Sequence, residues 1–209
     1  MTQDNQPTQL PNAMTRLVQQ SMHPNLSEHD RLRICLPTCF YILAKAYGYL
    51  EGVSPEEFID NLDQATRLEA GEWSRPKFSR FLRQRYGIKI VSWWTGKNRT
   101  DLIPERDKRR MHEFGYLDDE AETDFFWQQV VDRDVAQIVQ AGHPVIATVL
   151  PGFGQNRALH SIILARWADG QVDVIDPDDR NPEKPYPEDY IRSKLNPNGA
   201  CSIILPKNS

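Results

Sequence analysis

Four residues of this sequence could together support nucleophilic chemistry. The stretch Arg33 to Tyr49, RICLPTCFYILAKAYGY, carries Cys35 and Cys39, two of the three cysteines among 209 residues. Much later, His160 opens the apolar run HSIILARW, and Asp176 ends the next one in QVDVIDP. A thiol becomes a strong nucleophile when it ionises, and a helix N-terminus or a neighbouring imidazolium favours that ionisation. A carboxylate behind the histidine fixes its tautomer and steadies its charged form.

Pro37 decides between the two cysteines. Proline lacks an N–H and is tolerated in a helix only within the first turn, so the helix read over residues 36–50 starts at about Cys35 or Leu36. Cys35 then sits at the N-cap, while Cys39 lies a turn inside, on the apolar stripe of Ile42 and Ala46. Position favours Cys35 as nucleophile and Cys39 as a core residue. The plainer alternative, in which both are small buried side chains, stays open. Cys201, within ACSIILP, reads as a buried strand residue.

His160 and Asp176 flank Ala168-Asp169-Gly170, a turn signal between two β-branched runs. In the hairpin so formed, the start of one strand lies near the end of the other, which makes His160 and Asp176 neighbours.

The remaining elements follow from periodicity and caps. Residues 1–13 are a polar tail, Met14–Met22 a short helix and His23–Arg33 a loop. VSPEEFIDNLDQATRL has Ser54 as N-cap, Pro55 at the first helical position and Glu57 at the third. Another helix runs from Ser74-Arg75-Pro76 to about Tyr86, stopped by Gly87, and IKIVSWW is a strand. Residues 95–123 are polar loop with a helical turn, and Asp124–Gln140 is an amphipathic helix ended by Gly142. PVIATVL, HSIILARW, QVDVIDP and CSIILP then read as a meander of antiparallel strands. Helices first and an antiparallel sheet second give an α+β fold with the site between the halves. Residues 14–209 form one domain.

The segment Cys35-Leu-Pro-Thr-Cys-Phe-Tyr-Ile-Leu-Ala-Lys-Ala-Tyr-Gly48 resembles the Cys-Gly-Pro signature and the helix after it in papain-like cysteine peptidases of the C39-like family, a label unrelated to Cys39. AGHPVIATV followed by HSIILARWADGQVDVIDP is similar to that family's Gly-x-Pro-Val strand, histidine strand and Asp-Pro end. The likeness covers roughly residues 30–50 and 140–178. It implies a papain-like fold, with Cys35 as nucleophile, His160 as general base and Asp176 as orienting carboxylate. The family has glycine where Leu36 stands, and an oxyanion-binding glutamine where this chain reads His29-Asp30-Arg31. The second oxyanion donor is then His29, Arg31, Arg33 or backbone.

Composition narrows the alternatives. A net charge of −4 gives no overall attraction to nucleic acid or anionic lipid, and Lys108-Arg109-Arg110 is a small basic run on a solvated face. No apolar stretch approaches the ~20 residues of a membrane helix, and an odd, sparse cysteine count argues against a disulfide framework. The expected compartment is the cytoplasm, or the exterior by a signal-independent route. No metal, nucleotide or other cofactor motif is present. Trp93-Trp94 and Phe125-Phe126-Trp127 read as core, with one ring of each able to wall a groove. The expected function is a thiol hydrolase, a cysteine peptidase or amidohydrolase, acting on a peptide or protein through an acyl-enzyme. A deamidase or acyltransferase would use the same triad, and an inactive binding module would keep the fold without the chemistry.

Overall fold

The computed structural model describes residues 34–66, 75–94, 134–177, 185–197 and 199–207. The expected tail, the helix at 14–22, the loops at 23–33 and 95–123, the 108–110 run and Phe125–Trp127 all lie outside these.

Eleven elements are described: α1 Cys35–Ala46, α2 Pro55–Thr66, α3 Arg75–Tyr86, β1 Ile90–Trp94, α4 Val135–Gln140, β2 Val145–Val149, β3 His160–Ala168, β4 Gln171–Ile175, β5 Pro185–Pro187, α5 Glu188–Lys194 and β6 Ala200–Ile204. Their ends follow local chemistry. Ser54 Oγ accepts the Glu57 N–H at 3.1 Å, capping α2. α1 and α4 both close through a glycine: Tyr49 N–H bonds back to Ala44 across Gly48, and His143 N–H to Ile138 across Gly142. With Gly48 at φ 77 and Gly142 at φ 90, each satisfies carbonyls that the helix end would leave free.

All six strands form one antiparallel sheet in the order β1-β6-β2-β3-β4-β5. Strands alternate between two apolar layers. Ile90, Ile146, Ile163, Ile175 and Ile204 face a cluster built on α1, α2 and α3, whereas Val145, Ala147, Val149, Ile162, Leu164, Cys201 and Ile203 face α4 and α5. Aromatic contacts tie the helical layer together, with Phe40 and Phe78 centroids 4.5 Å apart and Tyr41 and Phe58 5.4 Å apart. The architecture is a mixed α+β fold, as expected.

Three expectations need correction. The last third is not a simple meander, because β6 returns from α5 to lie between β2 and β1. β5 and α5 form in the Pro-rich stretch between QVDVIDP and CSIILP, where the meander has no element; Pro185 and Pro187 cost little there because β5 is an edge strand. Of the helix expected over Asp124–Gln140, residues 124–133 lie outside the described residues, and the described helix begins only at Val135. Asp134 adopts extended backbone and is the N-cap of α4, its carboxylate accepting the Gln137 N–H while the Gln137 side chain accepts the Asp134 N–H.

The β3–β4 turn is tight, with Asp169 at φ 55 and Gly170 at φ 69, the two positive values of a type I′ turn. Nothing lies within 4 Å of a methyl group placed on Gly170, so Gly170→Ala tests backbone conformation alone. It should lower stability by about 1 kcal/mol, read as a lower urea midpoint with an unchanged slope.

Candidate active site

α1 starts at Cys35. Ile34 is the N-cap, not Cys35 as expected, because Thr38 N–H closes the first helical hydrogen bond onto the Ile34 carbonyl at 2.9 Å. Cys35 is thus the first helical residue, and neither its N–H nor that of Leu36 bonds within the helix. Pro37 falls in the first turn and removes no needed donor. The Leu36 side chain joins the apolar cluster beneath the helices and so points into the core.

His160 and Asp176 meet. His160 Nε2 lies 2.6 Å from Asp176 Oδ1, with both side chains only 4% exposed. That bond occupies Nε2 and leaves Nδ1 as the ring nitrogen available to the Cys35 thiol, whose ionisation the imidazole influences. The structure therefore brings together all three residues singled out in the sequence.

A β-bulge makes the pairing of His160 with Asp176 possible. From the turn, β3 and β4 pair as Ala168↔Gln171, Trp167↔Val172 and Arg166↔Asp173. Continued unchanged, that register would set Asp176 opposite Ile163, on the face away from His160. Ala165 is inserted between Leu164 and Arg166, and the pairs beyond it become Leu164↔Val174 and Ile163↔Ile175. One residue further, Asp176 comes opposite Ile162, on the same face as His160 and one diagonal step away. The same bulge lets Leu164 and Trp167, an odd number of residues apart, both reach the layer under α4 and α5.

Electrostatics follow from these contacts. Burial alone would raise the Cys35 thiol, but the hydrogen bond and charge of His160, with smaller help from Ser161, bring it below its ordinary value. Burial alone would lower His160, but hydrogen bonds and charge from Asp176 and Cys35 push it up to about 10. Both shifts favour the thiolate–imidazolium form of the pair over the neutral one.

The other candidates are elsewhere or play structural parts. Cys39 is fully buried, and its Sγ donates to the Ser161 carbonyl at 3.4 Å. Cys201 is buried in β6, and none of the three cysteines is joined in a disulfide. His143 is half-buried at the end of α4, where its N–H serves the helix terminus. His29, Arg31 and Arg33 lie outside the described residues, and of Trp93 and Trp94 only the strand backbone is described. Two nearby residues escaped the sequence reading. Ser161 is a polar residue on the helix-facing side of an apolar strand, a signal that was there to find. Tyr186, whose phenol is raised by burial and then by the nearby Asp176 charge, lay hidden in the Pro-rich stretch before CSIILP.

No family model matches this chain, and no curated protein does. Among the described residues no group of three His, Cys, Asp or Glu side chains could hold a metal ion, and no helix is long and apolar enough to cross a membrane.

The His160 shift carries a pH signature. The folded state retains a proton that the unfolded chain releases at about 6.5, so this contribution to stability is complete below ~6.5 and disappears as the pH rises through about 10. Cys35 works in the opposite sense: its contribution is present above the ordinary value of 9.0 and is lost as the pH falls through the lowered folded value. Asp176→Asn removes the charge that supports the imidazolium. Wild type should be more stable than this variant by ~2–3 kcal/mol near pH 6, and the gap should close toward pH 10 in urea titrations. A constant gap would show that His160 is neutral.

Proposed function

We propose that this protein is a papain-like thiol hydrolase, a cysteine peptidase or amidohydrolase of the C39-like kind, acting on peptide or protein substrates. The observation that carries this reading is the buried chain of contacts from Asp176 through His160 to a sulfur at the start of a helix. In the proposed reaction the Cys35 thiolate attacks an amide carbonyl carbon. The carbonyl electron pair moves to oxygen, where the N–H groups of Cys35 and Leu36 are available as donors. Nδ1 of the His160 imidazolium then gives its proton to the departing amine, leaving an acyl thioester on Cys35. His160, now neutral, takes a proton from the incoming water, and collapse of the second tetrahedral intermediate releases the acid and restores the thiolate. Asp176 keeps the ring oriented throughout and holds its charge. Another acceptor in place of water would make the same residues a transferase, and a glutamine side chain as substrate would make them a deamidase. Three cysteines outside any disulfide fit a reducing compartment, and the reading puts the protein in the cytoplasm.

An activated acyl donor needs no knowledge of the natural substrate. Incubation with p-nitrophenyl acetate should release nitrophenol and leave an acetyl group on Cys35, mapped by peptide mass spectrometry. Cys35→Ala should abolish the labelled peptide, and His160→Ala should slow acetylation by ~10²–10⁴. Labelling spread evenly over Cys35, Cys39 and Cys201 would contradict the proposal.

A further inference from the structure

Ser161 follows His160 in β3 and is buried, although it interrupts an apolar strand. Strand alternation puts its side chain on the face of Ile163, the face covered by α1. Its main chain is turned to the same helix. The β3–β4 ladder begins at Ile163↔Ile175, so among the described residues Ser161 has no ladder partner on β4. Its carbonyl instead accepts the Cys39 thiol at 3.4 Å. In a strand the N–H and C=O of one residue project to the same side, so the Ser161 N–H is directed toward α1 as well. Its hydroxyl and its N–H thus lie on the side of β3 that meets the first turn of α1, and Ser161 is among the groups that lower the Cys35 thiol.

We propose that Ser161 is a second anion-stabilising residue of the site: its main-chain N–H and its Oγ–H both donate to Cys35 Sγ, holding the resting thiolate where His160 can serve it. This deepens the thiol hydrolase reading and rests on it. The hydroxyl touches the reacting atom and is therefore part of the catalytic group. As Sγ attacks a carbonyl its negative charge passes to the substrate, so these two bonds are strongest before reaction. They favour thiolate over thiol and at the same time temper its nucleophilicity. Cys39 anchors the far side of Ser161 and keeps the strand and the first turn of α1 in step.

Among the described residues, the titratable group that acts on the Cys35 thiol is His160 from β3, with Asp176 behind it, while Cys39, one turn on in the same helix, is turned to the Ser161 carbonyl. Ser161→Ala leaves all of these and the Ser161 N–H in place. The rate of iodoacetamide alkylation of Cys35 against pH separates the two consequences. Loss of one hydrogen bond to a charged sulfur should raise the midpoint by about one unit, a tenfold drop in thiolate below both midpoints. The high-pH plateau should rise by about threefold, because a more basic thiolate is a better nucleophile. A merely structural role would not raise the plateau. Ser161→Thr should restore both values, and Ser161→Val, of the same shape without the hydroxyl, should behave like Ser161→Ala; this pair makes the comparison if the alanine variant folds poorly. An unchanged midpoint in Ser161→Ala and Ser161→Val, beside a low wild-type midpoint, would overturn the role of Ser161 and leave the Cys35–His160 pair standing. An ordinary wild-type midpoint near ~8.5 would overturn both.

Discussion

A charged imidazole can be buried only where negative groups meet it. At His160 the Asp176 carboxylate takes Nε2 at 2.6 Å, and the Cys35 sulfur takes the other side of the ring. Taking an ion out of water costs several kcal/mol, so removing either partner leaves an uncompensated charge in a site with 4% side-chain exposure. The positions of α1, β3 and β4 are therefore coupled: the helix must deliver a sulfur, the strand an imidazole and the hairpin end a carboxylate to one point. A helix start is the favourable place for the sulfur, because its free N–H groups already support a negative charge.

Two local devices satisfy this constraint. The bulge at Ala165 changes the β3–β4 register by one residue, which moves Asp176 onto the face of His160. The early end of the β3–β4 ladder then leaves the Ser161 carbonyl to meet Cys39 of α1. The bulge also brings Leu164 and Trp167 to one apolar layer, so it serves the core as well as the site. Both devices make sense as means of bringing three polar side chains together.

Much of this was legible in the sequence because it depends on single residues with strict backbone needs. Pro37 fixed the helix start to within a residue of where it lies, Ser54 and Pro55 marked α2, and Asp169-Gly170 marked the hairpin that brings His160 near Asp176. What escaped depends on pairing over distance. An inserted residue such as Ala165 leaves no trace in composition, and hydrophobic alternation does not say that β6 lies between β1 and β2. Asp134 and Gln137 did carry a capping signature, but the apolar periodicity of residues 124–140 outweighed it. The Pro-rich stretch hid β5 and α5, and with them Tyr186, because proline argues against a strand except at an edge, and edges are not visible in one sequence.

The ionisation state of Cys35 tests the account most directly. Iodoacetamide alkylation from pH 4 to 10, mapped by mass spectrometry to each cysteine, should show Cys35 reacting with a midpoint well below the ~8.5 of an ordinary thiol, while Cys39 and Cys201 react slowly throughout. His160→Ala should remove the fast reaction below pH 7. A Cys35 midpoint at or above ~8.5 in the wild-type protein, unmoved by the His160 substitution, would contradict the thiolate–imidazolium pair and the chemistry built on it.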